Sequence, residues 1–323
     1  MTPGSSEETP KGVPAARGCR IRVEPGEGAG RRLDVLLAER LALSRSRVRW
    51  LLGAGRVRVD GRRVGPRRGG LMLAAGSVVA VEPFDHPEEW LPEPEPEAPL
   101  AVLARGPDWV AVDKPAGRPV HPFRPGERGT VLGALLAREP RVAGVGEGGL
   151  RSGVVHRLDV GTSGVLFFAL SDERFRSLRS AFAEHRVHKR YRALLEGELG
   201  GRGVESPRLL VARHRPARVR VAGPDEQGGR PTRLAWRAVE ALAGATLVEV
   251  DLETGFLHQI RATFAALGHP VVGDGAYGST HHPELGEVGR PLLHAARVVV
   301  GDLRAESPDP ADLAAALELL RRA

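Results

Sequence analysis

Residues 154–170 read VVHRLDVGTSGVLFFAL, a polar loop between two apolar runs. The second run, residues 165–170, is apolar throughout and predicts a buried strand. The first run, residues 154–155, also has a buried-strand pattern. The loop between them carries an arginine, a carboxylate and two glycines. Loops held between rigid strands commonly carry reactive groups, so Asp159 is the first candidate for chemistry. Alternatively, Asp159 only hydrogen-bonds the backbone of its own turn.

The composition favours a polyanionic partner. The chain has 323 residues, a net charge of +7 and 41% hydrophobic residues, and its length suggests two domains. The basic excess favours nucleic acid first and an anionic membrane second, although a GC-rich coding bias would explain why arginine outnumbers lysine. A single cysteine, Cys19, suits a reducing compartment. We expect a cytoplasmic protein, since no run of the sequence has the length of a membrane span or the apolar core of a signal peptide.

Composition shifts along the chain predict its domain organisation. Residues 1–18 are rich in Pro, Gly, Ser and Glu, and we expect them to be disordered. Residues 83–99 alternate Pro and Glu and predict a semi-rigid acidic linker. The sequence therefore predicts a small domain at residues 19–82 and a large one at residues 100–323. Many strands with scattered helices in the large domain indicate the α+β class.

Local patterns predict several elements of the large domain. Thr130 is expected to cap one helix, and Ser171 or Asp172 another. Residues 257–267 have a helical pattern, whereas residues 200–232 suggest exposed basic loops or a hairpin. Residues 113–117 indicate a turn, and residues 269–274 a tight apolar loop.

The small domain has the pattern of two helices followed by a hairpin. The helical spacing covers residues 31–41 and 45–53, and an Asp-Gly turn within residues 56–64 is a strong hairpin signal. The stretch RRLDVLLAERLALSRSRVRWLLGAGRVRVDGRRV resembles the S4 RNA-binding domain, although Gly-Ser replaces the usual Gly-Asp before the last strand. The resemblance implies RNA contact on the exposed side of the second helix, by Arg45, Arg47 and Arg49. An arginine face that is merely solvated is the alternative.

Six stretches of the large domain occur in an order that resembles the RluA-type pseudouridine synthases: LARGPDWVAVDKPAGRPVHP, GVVHRLDVGTSGVLFFAL, VHKRYRALLEGEL, RPTRLAWRAVE, LVEVDLETGFLHQIRATFAALGHPVVGDGAYG and LLHAARVVV. The resemblance implies a mixed, largely antiparallel sheet and the isomerisation of uridine in structured RNA to pseudouridine. This reaction needs no cofactor and no metal. Large-subunit ribosomal RNA is the favoured substrate, tRNA is possible, and we expect a monomer.

The resemblance assigns roles to five residues. Asp159 is the catalytic carboxylate, which attacks C6 of the base or assists departure at C1′, and Arg261 is its cationic partner. Tyr191 stacks on the target base, a contact worth roughly 1–3 kcal/mol. Arg157 fills the space that the flipped base vacates, and Lys189 contacts phosphate or uracil. The alternatives are that Arg261 is an ordinary arginine on a helix surface, that Tyr191 is a half-buried strand residue, and that Arg157 forms a surface salt bridge.

Two departures from the family pattern bear on activity. Phe256 and Leu257 replace an arginine and a threonine before HQIR, and Val160-Gly161 replaces the more usual Lys-Asp after HRLD. The first departure leaves open a non-catalytic RNA-binding protein, and the second removes charges beside the active loop, which bears on the rate or the choice of substrate. A carboxylate glycosidase is a third interpretation, but it usually needs a second catalytic acid, and none is evident in the matched motifs.

Overall fold

The computed structural model describes residues 18–25, 29–41, 43, 45–84, 90–214 and 216–323, without the side chain of residue 46. The tail that was predicted to be disordered lies, apart from Gly18, outside the described residues. The chain divides into two compact units, Met1–Pro87 and Glu88–Ala323.

The first unit packs two helices on a four-stranded antiparallel sheet with the strand order β1-β4-β2-β3. Asp60 and Gly61 both have positive φ, 50° and 79°, as the predicted two-residue hairpin turn requires. Apolar residues from both helices, among them Leu33, Leu37 and Leu51, are fully buried in its core. The elements are β1 (Cys19–Arg22), α1 (Leu33–Arg40), α2 (Arg45–Gly53), β2 (Val57–Val59), β3 (Arg62–Arg63) and β4 (Val78–Val81).

The second unit contains four helices and fourteen strands among its described residues: β5 (Ala101–Arg105), β6 (Trp109–Lys114), α3 (Val131–Leu136), β7 (Ser163–Ala169), α4 (Asp172–Ala183), β8 (Val187–Glu196), β9 (Arg202–Glu205), β10 (Arg208–His214), β11 (Ala217–Val221), β12 (Arg230–Pro231), β13 (Leu234–Leu242), β14 (Ala245–Leu252), α5 (Gln259–Ala266), β15 (His281–His282), β16 (Gly286–Glu287), β17 (Leu293–Val300), β18 (Leu303–Glu306) and α6 (Ala311–Arg322). Thr130 and Ser171 cap α3 and α4 through their hydroxyls.

Nine of these strands form one sheet with the order β5-β6-β7-β17-β8-β14-β13-β9, and β18 pairs with β17. Within this sheet the β7–β17 pair is parallel and the other pairs are antiparallel. The predicted α+β class with a mixed, largely antiparallel sheet is therefore confirmed.

Strand β7 lies at the centre of the second unit. Every residue of β7 is buried, because one apolar cluster covers each of its two faces. Gly164 has a φ of 115°, and a Cβ atom there would lie 2.3 Å from the carbonyl oxygen of Ala295 in β17. The glycine of the Thr-Ser-Gly segment thus permits the close approach of the two parallel strands.

Three predicted elements differ from the structure. Residues 154–155 form only an isolated bridge from Val154 to Phe168, because the 3₁₀ turn Gly149–Arg151 turns the chain immediately before them. The predicted helix over residues 257–267 begins at Gln259, because His258 is left-handed, with a φ of 51°. Residues 200–232, predicted as exposed basic loops or a hairpin, contain the hairpin as β10 and β11 but add the strands β9 and β12; β10, β11 and β12 make a separate three-stranded sheet.

The end of the predicted linker is held against the second unit and does not extend as a free spacer. The Glu95 carboxylate accepts hydrogen bonds from the backbone N–H groups of Gly129, at 2.9 Å, and Thr130, at 3.2 Å. Arg138 donates to the carbonyl of Ala98 at 2.8 Å. The first turn of a helix has N–H groups without helical partners, so an acidic segment can be anchored where composition suggests only a spacer.

Candidate active site

Asp159 lies in the loop between Val155 and β7, where its side chain is 24% exposed. The loop closes through a hydrogen bond from the Thr162 N–H to the Asp159 carbonyl, at 3.1 Å. The carboxylate of Asp159 binds Arg261, whose Nη1 donates a hydrogen bond to Oδ2 of Asp159 at 3.2 Å. The carboxylate is thus held at a cation and still open to solvent on one side.

Arg261 is itself fixed by a second carboxylate. It lies on α5, and its Nε and Nη2 donate to the two oxygens of Asp274 at 2.6 and 2.7 Å. The Asp274 side chain is 1% exposed, so this is a buried bidentate pair. Burial opposes the charge of Arg261, but Asp274 and Asp159 outweigh it and raise the pKa of the guanidinium. Arg261 therefore stays charged and presents its remaining edge to Asp159.

Two cations fix the Asp159 loop through hydrogen bonds to its backbone carbonyls. Lys114, at the end of β6, is fully buried, and its Nζ donates to the carbonyls of Val160 at 3.0 Å and Thr162 at 2.7 Å. Arg290 donates to the carbonyl of Gly161 at 3.2 Å and forms a bidentate pair with Asp312. Burial lowers the pKa of Lys114 to about 7, although the charge of Asp159 opposes this shift. Three successive carbonyls are thereby fixed.

Replacing Lys114 by methionine should slow the reaction by up to about 10²-fold, because an error of about 1 Å in placing a catalytic group has that effect. The freed carbonyls should lower the free energy of unfolding by about 1–3 kcal/mol, partly offset by removal of a buried charge. Single-turnover kinetics and urea unfolding measure the two effects. Arg105→Met removes an exposed cation from β5 and should change neither quantity; an unaltered rate in Lys114→Met contradicts the role of the lysine.

Tyr191 and Lys189 project to the same side of β8, as the strand pattern predicts, and both are buried at 8% exposure. Burial, and secondarily the charge of Asp159, raises the pKa of Tyr191, so its hydroxyl stays protonated. The Nζ of Lys189 donates to the carbonyl of Thr254 at 3.2 Å, and burial lowers its pKa to about 8. Tyr191 is thus near Asp159, whereas Lys189 is engaged by the turn after β14.

The imidazole of His156 has a packing role. Its Nε2 accepts a hydrogen bond from the Phe167 N–H at 2.9 Å, and its ring stacks on Phe182 with centroids 4.5 Å apart. Burial, with a smaller contribution from Lys189, lowers the pKa of His156 to about 3. A neutral ring with an engaged nitrogen does not act as an acid or base here.

The predicted RNA-contacting arginines have different environments. Arg157 is exposed, and none of the described residues forms a hydrogen bond or ion pair with it. Arg45 and Arg49 are also exposed on α2. Arg47 is not on the same side as these two: it is half-buried with its guanidinium 5.3 Å from the centroid of the Trp50 ring, because two helical residues are separated by about 200°.

The apolar departures before HQIR have a packing explanation. Phe256 and Leu257 contact a small cluster that contains Leu209 of β10, Val219 of β11 and Ala262 of α5. They therefore attach the three-stranded sheet to α5. The polar pair typical of the family is replaced by an apolar contact, while Arg261 keeps its place.

Asp274, Lys114 and Arg290 went unassigned in the sequence. Asp274 occurs in the GHPVVGD stretch, which predicts a tight apolar loop, and Lys114 in the DKPAG stretch, which predicts a turn. Within the described part of the chain, no group of three or more His, Cys, Asp or Glu side chains could hold a metal ion. None of the described helices is long and apolar enough to cross a membrane.

Comparison with protein families agrees with the two units. The family model for RNA pseudouridylate synthase matches residues 108–266, and the model for the S4 domain matches residues 31–68. An uncharacterised RNA pseudouridine synthase of Mycobacterium tuberculosis is 36% identical over 306 residues, which cover 91% of this chain and 95% of the relative. A ribosomal large subunit pseudouridine synthase D of Xanthomonas campestris is 35% identical over 323 residues, covering 94% and 92%.

A solved structure is also similar. Human RNA pseudouridylate synthase domain containing 1 superposes with a TM-score of 0.55 at 27% identity, and the match covers 68% of this chain and 89% of the human one.

Proposed function

The chain belongs to the RNA pseudouridine synthase family, and from this premise we propose that it converts one or more uridines of large-subunit ribosomal RNA to pseudouridine, with Asp159 as the catalytic carboxylate. The observation that supports this role is the Asp159–Arg261–Asp274 arrangement. A cation that is fixed by one buried carboxylate also binds a second, partly exposed carboxylate and so fixes its position. The ribosomal substrate is supported by the S4 domain and by relatives named for the large subunit.

The reaction breaks the bond from N1 to C1′, turns the base and joins C5 to C1′. The target base must leave its stack before a carboxylate can reach it. Tyr191, beside Asp159, offers an aromatic face to the flipped base. Arg157 is exposed two residues away, and its planar cation suits the space that the base vacates. Asp159 then attacks C6 or assists departure at C1′, while Lys114 and Arg290 hold its loop.

The alternative functions are less well supported. A degenerate synthase domain predicts loss of the catalytic ion pair, yet Asp159 and Arg261 are in contact at 3.2 Å. A glycosidase needs a second carboxylic acid free to donate a proton. The nearby Asp274 is 1% exposed, and both of its oxygens are bound by Arg261. We also propose a cytoplasmic location, since a single cysteine suits a reducing compartment.

We expect the protein to release tritium from large-subunit ribosomal RNA labelled at C5 of uridine, because C5 loses its hydrogen when it joins C1′. Labelled tRNA transcripts serve as the matched comparison. Mapping pseudouridine in cellular RNA with and without the gene then identifies the position. Release from tRNA alone would contradict the ribosomal substrate; RNA binding without release from either RNA would favour the non-catalytic protein, and free uracil would favour the glycosidase.

A further inference from the structure

His258 lies between Asp159 and Tyr277, directly before α5. Its Nε2 is 3.7 Å from Oδ2 of Asp159, and its Nδ1 is 3.0 Å from the Tyr277 hydroxyl. The side chain is 13% exposed, and its ring meets the Tyr277 ring edge-on. The backbone of His258 is left-handed, with φ of 51° and ψ of 23°. A non-glycine residue in this conformation is uncommon and calls for an explanation.

The hydrogen-bond partners of the His258 ring indicate which of its nitrogens carries the proton. The Tyr277 hydroxyl accepts the N–H of Val219, on β11, at 2.8 Å. Burial raises the pKa of Tyr277, so the hydroxyl keeps its own proton. Among the described residues, the acceptor within reach of that proton is Nδ1 of His258. With Nδ1 as the acceptor of that proton, the neutral ring carries its own proton on Nε2, facing Asp159.

The groups around the ring keep it neutral. Burial lowers the pKa of His258 most; the Asp159 and Asp274 carboxylates oppose this shift, and the Arg261 guanidinium adds to it. Arg261 and Arg218 also lie over the Tyr277 ring, at 5.1 and 5.7 Å from its centroid. A third positive charge, on His258, would be unfavourable beside these two cations.

Both donors approach the same oxygen of Asp159. Nη1 of Arg261 is 3.2 Å and Nε2 of His258 is 3.7 Å from Oδ2. No described residue forms a hydrogen bond to Oδ1. The carboxylate is therefore oriented by one oxygen, and the other remains available to substrate. Contacts at catalytic groups are often long before substrate binds and shorten in the complex.

We propose that His258 is a positioning residue for the reaction: its Nε2–H donates to Oδ2 of Asp159, Tyr277 holds its ring, and Oδ1 is thereby aimed at the target nucleotide. This inference rests on the proposed function of Asp159. It also connects β11 to the catalytic carboxylate through Val219, Tyr277 and His258.

Kinetics of His258 variants test the proposal. Asn tolerates the left-handed backbone but is too short to replace Nε2, so His258→Asn should lower the single-turnover rate roughly 10–100-fold and leave the KM for RNA unchanged. His258→Gln carries an amide donor at a similar reach and should restore the rate to within a few-fold. Tyr277→Phe should slow the reaction as His258→Asn does, and the double variant should be no slower than either, since the pair acts as a unit.

A structural role predicts other results. A wild-type rate in His258→Asn, a change in KM alone, no rescue by Gln, or additive losses in the double variant would each overturn the proposal. A second measurement needs no substrate: long-range ¹H–¹⁵N spectra of the eleven histidines should show the Nε2–H form for His258 and a mixture in Tyr277→Phe. The Nδ1–H form in a wild-type protein that makes pseudouridine would overturn this proposal alone. The Nε2–H form in a protein that makes no pseudouridine would overturn the proposed function, and with it the positioning role, although the hydrogen bond from His258 to Asp159 would stand.

Discussion

Replacing Asp159 by asparagine should abolish pseudouridine formation and leave the fold and RNA binding in place. The amide has the shape of the carboxylate but no charge to attack or stabilise an electrophilic carbon, so we expect a loss of roughly 10⁴-fold or more. Arg261 keeps both bonds to Asp274 in this variant, and Asp159 is 24% exposed. The free energy of unfolding should therefore change by no more than about 1 kcal/mol.

Tritium release, filter binding and urea unfolding measure the three properties. Asp302→Asn is the matched control, because Asp302 is an exposed carboxylate in the turn between β17 and β18; it should match wild type in all three. Undiminished tritium release by Asp159→Asn would remove the carboxylate from the mechanism. A loss of activity that accompanies unfolding would show that the side chain stabilises the loop and would leave its chemical role unsupported.

Replacing Arg261 by methionine should damage both stability and activity. Asp274 would be left buried without its cation, and breaking a buried pair in this way lowers the free energy of unfolding by about 3–5 kcal/mol. Asp159 would lose its only close cation among the described residues. The rate of pseudouridine formation should therefore also decrease. Urea unfolding and single-turnover kinetics at a temperature below the onset of unfolding measure the two losses.

A double variant separates these losses. Asp274→Asn removes the unpaired charge but keeps an acceptor for the Ala276 N–H, which now donates to Oδ1 of Asp274 at 3.2 Å. Arg261→Met with Asp274→Asn should recover most of the stability and none of the activity. Arg322→Met removes an exposed surface pair on α6 and should be neutral. A wild-type rate in the double variant would contradict the electrostatic role of Arg261.

Prediction from sequence succeeded where the signal is local. The caps at Thr130 and Ser171 and the Asp60-Gly61 turn are confirmed, because each depends on side chains and backbone within a few residues. The buried run in β7 is also confirmed. Prediction from sequence failed for the start of α5, where a left-handed His258 shortens the helix. It also failed for residues 154–155, where apolar character did not produce a strand.

The site depends on distant partners. Arg261 contacts Asp159 across 102 positions of the chain, and Lys114 contacts the Thr162 carbonyl across 48. The family resemblance of the ordered motifs predicted the pair of Arg261 and Asp159. A motif does not state, however, which carboxylate oxygen of Asp159 the arginine binds. Lys114 was interpreted as part of a turn, since nothing within its own stretch indicates the carbonyls that it holds.

The sequence by itself determined the α+β class, the order of the motifs, the family resemblance and the choice of Asp159, Arg261 and Tyr191 as candidates. Tertiary structure alone decided that Asp274 fixes Arg261, that Lys114 and Arg290 hold the loop, and that His258 faces Asp159. The physical reason is that helix periods, caps and turns are set by neighbours in the chain, whereas hydrogen bonds and ion pairs between buried groups depend on which strands become adjacent when the sheet forms.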